Sequence, residues 1–364
     1  MLPMLFKLLA TTVVLLASIP HGLTQSLNEP CTNPHGQPGR CVFLRECQPL
    51  LDIYRRDNVS YDESEFFYGS RCSGQFEGKP LLCCFPAPAN SSASLPRAPS
   101  DCGLAPPERI VGGHETTLGE FPWMALLMYR GPSRELQLSC AATLINSRYL
   151  VTAAHCIKQV PAELTLSGVR LGEHDITNKE ERDCDQHGCA DVPVEVGIEK
   201  VIVHEQYNAT ERGQYNDIAL IRLDRDVGFS DYIDPVCLPV EDSVRKMDHT
   251  GMKAVAAGWG YTETDQRSNV KLKVTLDVLD HKKCVDVYRS SRVVLRDTQL
   301  CAGGQEGKDT CRGDSGGPLM RSVDGNYYLI GVISWGAAQC GTKGIPALYT
   351  NVAMFVDWIE NHLE

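Results

Sequence analysis

At 364 residues, the chain is too long for one small module and long enough for a sizeable core with an accessory domain. A formal net charge of -11 excludes a nucleic-acid binder, because neutralising phosphates takes clustered Lys and Arg that the sequence lacks. Sixteen cysteines point to an oxidising compartment, where thiols pair as disulfides instead of holding metal clusters.

The first element is an apolar run from Leu8 to Ile19 behind Lys7. It is too short to span a bilayer and fits the core of a secretory signal over residues 1–24, with Gly22 and Thr24 offering a cleavage point before Gln25. No later segment approaches membrane length, so a soluble, secreted, extracellular protein is expected, and sequons at Asn58, Asn90 and Asn208 suit glycosylation there. Residues 25–84 gather Cys31, Cys41, Cys47, Cys72, Cys83 and Cys84 in a segment whose core is too small to stand without cross-links; spacing alone leaves their pairing open. From Phe85 the composition shifts to Pro, Ala, Ser and Asn, so residues 85–109 read as a linker, semi-rigid at its prolines, that ends in an activation segment. There Arg109 precedes Ile110, Val111, Gly112 and Gly113, which suits a cleavage and docking hinge and, taken alone, equally an ordinary loop.

Residues 110–364 show short apolar or alternating runs broken by Gly, Pro and Asn: Met124 to Tyr129, Ala142 to Ile145, Tyr149 to Thr152, Val169 to Leu171, Ile218 to Arg222, Lys253 to Ala257 and Tyr328 to Trp335. That spacing predicts an all-β sandwich or barrel. Only the end reads as helix, capped by Asn351, with Val352, Phe355, Val356, Ile359 and Leu363 on one face.

The chemistry concentrates between Asp309 and Pro318, where Ser315 sits among glycines that let a backbone turn sharply and leave a hydroxyl exposed beside N–H groups. A base stands in Thr152-Ala153-Ala154-His155-Cys156, and Asp217 opens an apolar strand, a costly place for a carboxylate without a partner. The order His155, Asp217, Ser315 is that of chymotrypsin and differs from those of subtilisin and the α/β-hydrolases. On these motifs residues 110–364 resemble a trypsin-type serine protease, and the cysteine layout of residues 25–84 resembles the clip domain of arthropod proteases.

The resemblance implies two six-stranded β-barrels of chymotrypsin type with a C-terminal helix, behind a small disulfide-rich clip domain. It makes Ser315 the nucleophile, His155 the base, Asp217 its orienting acid, and the Gly313 and Ser315 N–H groups the oxyanion hole. Asp309 would form the base of the primary specificity pocket, with Thr310, Ser334, Trp335, Gly336 and Ala347 around the bound substrate. Ala347 replaces the family's usual glycine, and its methyl would favour Arg over Lys, since Arg reaches a carboxylate directly while Lys more often needs a bridging water. Ala141 and Ala142 replace two further glycines after Cys140, which puts the leaving-group side of the cleft in doubt. Cutting after Arg109 would free an ammonium at Ile110 to pair with Asp314.

The implied disulfides are Cys31–Cys83, Cys41–Cys72, Cys47–Cys84, Cys102–Cys237, Cys140–Cys156, Cys284–Cys301 and Cys311–Cys340, leaving Cys184 and Cys189 for each other. The carboxylate-rich loop from Glu173 to Asp191 is a solvated hairpin or, by resemblance, a calcium site with Glu173 and Asp183 as side-chain ligands and Asp175, Thr177 and Asn178 as carbonyl donors. A zinc reading of Cys184, His187 and Cys189 fails in an oxidising compartment. No cofactor is expected for catalysis. The implied partners are protein substrates (a downstream protease zymogen, prophenoloxidase or a cytokine precursor), an upstream activating protease and a serpin inhibitor, with no nucleic acid and no membrane. The rival expectation is a non-catalytic clip-domain adaptor in the same haemolymph cascade, melanisation or Toll; a digestive trypsin has no evident use for the appended module.

Overall fold

A computed structural model of the chain describes residues 29–44, 47–56, 59–76, 79–85, 95–98, 101–104, 114–132, 136–178, 182–186, 188–262, 266–289, 293–337 and 339–364. The leader, Asn58, Asn90, most of the linker, the Arg109–Ile110 bond with the residues through Gly113, Glu180, Glu181 and His187 lie outside them.

The N-terminal module is an antiparallel sheet in the order Pro30–Thr32, Pro38–Val42, Lys79–Cys84, Arg71–Phe76, with helices Gln48–Tyr54 and Tyr61–Gly69 between its strands. Ser60 starts the second helix by accepting from Glu63 N while the Glu63 carboxylate returns to Ser60 N, a reciprocal cap. Its interior is small, Leu50, Phe66, Leu81 and Leu82 with the sulfurs, which is why three disulfides staple it.

In the larger part, the run Met124–Arg130 is buried on both faces instead of alternating. The cause is position: one cluster takes Leu126, Leu150 and Ile221 together with Met320, Leu329 and Val332 of the second sheet, so the strands face both their own interior and the neighbouring sheet. The first sheet runs Val194–Val196, Thr165–Leu171, Met124–Arg130, Leu136–Leu144, Tyr149–Thr152, Ala219–Leu223, Ile198–Val203. Its two edges are halves of one strand bent at Gly197, so the seven segments close as a barrel of six strands. A Cβ at Gly197 would collide with the Asp224 carboxylate. The second sheet runs Gln299–Gly303, Pro346–Asn351, Asn326–Trp335, Pro318–Val323, Lys253–Gly258, Leu272–Asp277, with the two-residue His114–Glu115 outside. A bridge from Val278 to Ala302 draws its ends together. Two curled sheets of chymotrypsin type therefore stand where they were expected.

The helical end differs. Val352–Met354 is a 3₁₀ turn and only Val356–Glu360 is α-helix; Asn351 does not cap it, since its Nδ2 donates to Asp297 O. The apolar stripe is still used, Val352, Phe355 and Ile359 packing into the shared core. Among the described residues no helix is long and apolar enough to cross a membrane.

Candidate active site

Asp217 ends a turn just ahead of strand Ala219–Leu223 and is wholly buried. Three donors set its carboxylate: His155 N reaches Oδ1 at 2.9 Å, Ser334 Oγ reaches Oδ2 at 2.5 Å, and His155 Nδ1 lies 2.7 Å from Oδ2. Thr350 Oγ1 holds the Asp217 carbonyl at 2.7 Å. With Nδ1 on the carboxylate, the proton belongs on Nδ1 and the Nε2 lone pair faces outward, the tautomer a general base needs.

Ser315 is brought to this pair by its backbone. Its carbonyl accepts Ala141 N at 2.8 Å, and Gly316, at φ +78°, lies so close to Ala141 O and Thr152 Oγ1 that any side chain would collide. Those neighbours flank the strand leading into His155, and the Cys140–Cys156 disulfide ties them together. Gly313 adopts φ +95°, and a Cβ there would lie 3.0 Å from Gly260 Cα. Among the described residues neither the Gly313 nor the Ser315 N–H finds an acceptor, so two donors beside the hydroxyl are available to a developing oxyanion.

Six positions before Ser315, Asp309 accepts Thr310 N at 2.9 Å and Gly341 N at 3.1 Å, and burial pushes its carboxyl above the usual range. Ala347, buried, would touch a Cβ on Gly336 at 3.4 Å, so its methyl narrows the space between these two walls. Thr310 Oγ1 meets Tyr349 OH at 3.1 Å, fixing the floor. On the other side of the loop Asp314 accepts Gly260 N at 2.8 Å and Cys311 N at 2.9 Å. Burial pushes its carboxyl up to about 6 despite those bonds and the nearby Arg267 charge. A cavity of about 120 Å³ adjoins it, lined in part by Ala256, Gly258, Leu272 and Val274.

The family model "Trypsin" matches residues 110–359, and that of the "Regulatory CLIP domain of proteinases" matches residues 31–84. The chain belongs to the trypsin family. It is similar to CLIP domain-containing serine protease B4 of Anopheles gambiae, 46% identical over 94% of both chains, and to Melanization protease 1 of Drosophila melanogaster, 39% identical over 92% of both. The crystal structure of the Drosophila Grass clip serine protease of the Toll pathway superposes with a TM-score of 0.62 at 32% identity, covering 92% of this chain and 97% of that one.

In this clip-domain serine protease the cysteines pair as Cys31–Cys83, Cys41–Cys72, Cys47–Cys84, Cys102–Cys237, Cys140–Cys156, Cys184–Cys189, Cys284–Cys301 and Cys311–Cys340. Ala141 and Ala142 are both fully buried in the shared core, with Ala141 N donating to Ser315 O. Ser334, expected only to receive substrate backbone, also bonds Asp217; a lone Ser ahead of Trp335 carries no local sign of that contact. Asn208 is exposed on its loop, its Oδ1 accepting Thr210 N at 3.1 Å.

In the acidic loop Glu173 and Asp183 are both buried, and the Asp183 charge adds to the burial that raises the Glu173 carboxyl. Two hard carboxylates held side by side, with Asp175 N donating to Asp183 at 2.9 Å, fit the donor chemistry of calcium. Two cations compete for them. Arg170 Nη1 bonds Glu173 at 3.1 Å, and the buried Lys271 ammonium is pushed down to about 8 by burial while Glu120, Glu173 and Asp183 pull the other way. Trypsin-family proteases need no cofactor for catalysis.

Proposed function

We propose that the protein is a secreted zymogen serine endopeptidase that cuts after Arg in an insect haemolymph cascade of the melanisation or Toll type. The observation that carries this reading is the buried Asp217 carboxylate set on His155 Nδ1 at 2.7 Å, beside a serine loop with two available N–H groups. Ser315 Oγ attacks the scissile carbonyl as His155 Nε2 takes its proton, and the carbonyl oxygen, now anionic, accepts from Gly313 and Ser315 N–H. The Asp217 carboxylate, bonded to Nδ1, stabilises the imidazolium. His155 then gives the proton to the leaving amine, and water, deprotonated by the same nitrogen, releases the acyl group.

Asp309 supports selection of a cationic side chain, whose charge offsets the cost of its burial. Asp314 supports the switch: its carboxyl is buried beside a cavity, a costly place for its charge, and cleavage after Arg109 supplies an ammonium at Ile110. Cys102–Cys237 keeps the clip module, Gln25 to Cys84, attached after that cut. Melanization protease 1 and the Grass protease of the Toll pathway, to which the chain is similar, support the cascade; to it we assign a downstream zymogen, prophenoloxidase or a cytokine precursor as substrate, a basic-specific protease upstream and a serpin as inhibitor. Calcium belongs to the proposal through Glu173 and Asp183, with carbonyls of Asp175, Thr177 and Asn178; when bound it supplies positive charge that orders the loop.

A labelled fluorophosphonate tests the catalytic reading. Reaction at Ser315 after confirmed cleavage is expected, and silence of the cleaved protein would favour the adaptor.

A further inference from the structure

One half-buried cation has no part in the mechanism above. Arg267 turns back under the segment it follows: Nε donates to Trp259 O at 3.1 Å, Nη1 donates to Leu138 O, and Nη2, shielded from solvent, finds no hydrogen-bond partner. A shielded guanidinium with an unbonded N–H is costly, and burial indeed holds its pKa below the usual value. Something must offset that cost.

The two carbonyls belong to different barrels, Leu138 to strand Leu136–Leu144 of the first and Trp259 to the end of strand Lys253–Gly258 of the second. What Arg267 clamps between them is the wall on which the serine loop rests. Gly260 N bonds Asp314 at 2.8 Å, and Gly260 Cα lies against Gly313, whose N–H faces the oxyanion. The Arg267 charge also acts on Asp314, in the direction that favours its ionised carboxylate.

We infer that Arg267 is a positioning residue of the oxyanion hole: by clamping Trp259–Gly260 between the barrels and lending Asp314 a charge, it holds the serine loop near its working shape before the activating cut. The uncut precursor therefore carries a basal activity. The inference rests on the proposed switch at Arg109, and it has a signature that a merely structural arginine lacks. Once the Ile110 ammonium enters, Asp314 has a closer partner and the share of Arg267 falls, so its loss must cost more before the cut than after.

The experiment uses the full chain in two forms, uncut (held so by Arg109→Gln) and cleaved at Arg109, each with Arg267, Arg267→Met or Arg267→Lys. Fluorophosphonate labelling rate is read in both, and kcat and KM on an Arg peptide anilide in the cleaved form. Arg267→Met is expected to cut the labelling rate of the uncut chain about tenfold or more and the kcat of the cleaved form about threefold with KM unchanged. Arg267→Lys, which keeps the charge, should retain most of the uncut rate and decides the matter should the Met variant unfold. Equal fold-losses in the two forms overturn the inference, as does an uncut wild-type serine loop that never labels while the cleaved form does. In both cases the catalytic reading stands. A cleaved wild type that fails to label would instead remove the catalytic reading, and this inference with it.

Discussion

The Ala347 methyl stands on the wall of the proposed specificity pocket, and Ala347→Gly isolates its effect. Ala347 is buried at register with Ala302, its methyl against Gly336, while each Asp309 oxygen already holds one backbone N–H. An Arg fork can reach the remaining lone pairs directly, but a shorter ammonium needs an intervening water. Removing the methyl frees room on the order of one water, about 30 Å³. A Lys N–H left without an acceptor costs about 1–3 kcal/mol, and at the lower end 1.4 kcal/mol is about tenfold. The kcat/KM ratio of matched Arg and Lys peptide anilides should therefore favour Arg by about tenfold in the cleaved enzyme and collapse toward unity in Ala347→Gly, through a gain on Lys. The strand glycine itself costs about 0.5–1 kcal/mol of stability, checked by thermal unfolding. Equal turnover of both peptides by the unmodified enzyme, or an unchanged ratio in the variant, would refute the reasoning.

Ser334→Ala removes one of three donors on a buried carboxylate and should lower kcat about tenfold with little change in KM, measured by steady-state amidolysis. Arg109→Ala should remain an intact precursor held at its low basal rate on treatment with a basic-specific activator, whereas the wild type gains activity and becomes two chains that separate on gels only after reduction, since Cys102 is tied to Cys237. Chelating calcium should lower the unfolding midpoint by several degrees, about 1–2 kcal/mol at this size, and Lys271→Met, which removes a competing cation, should enlarge the effect; equal midpoints with and without calcium would leave the loop a solvated hairpin. In the precursor, Asp314 has a folded pKa raised to about 6 from 3.8, so it binds a proton that the unfolded chain releases, and stability falls as pH rises through that interval. In the cleaved form the new ammonium gains a partner, its pKa rises, and its contribution is lost as pH climbs past about 8. Calorimetry of both forms should find their stability difference largest between these limits, and a pH-independent difference would argue against the pair.

How much of this was legible in the residues depended on whether the signal was local. Glycines around Ser315, the carboxylate ahead of strand Ala219–Leu223 and the histidine beside Cys156 each carry their chemistry within a few positions, and the structure sets Asp217 on His155 and brings the Ser315 loop against the strand that leads into it. Ser334, Thr350 and Arg267 act through partners 117, 133 and 129 positions away, with no mark in their neighbourhoods. Strands Gln299–Gly303 and Pro346–Asn351 went unread because short mixed runs between glycines and prolines resemble loops until a sheet pairs them. At the end of the chain the stripe was right and the geometry was not. A helix of five residues is held by packing into the core, so neither a cap nor an unbroken helical segment was required.

On the proposed roles, the serine loop couples selection, activation and attack. Asp309 and Asp314 are served by N–H groups of consecutive residues, Thr310 for the first and Cys311 for the second, and Cys311 is tied to Cys340 next to Gly341, which serves Asp309 again. The backbone on either side of Asp314 has little slack, because Gly313 lies against Gly260 and Gly316 against Ala141 and Thr152. A charge arriving at Asp314 cannot pull that carboxylate without moving the donors of Asp309 and the N–H of Gly313 together. On the proposed roles of these residues, one event would therefore act on the oxyanion hole and the specificity pocket together, and a variant that uncouples Asp314 should lose substrate selection along with rate.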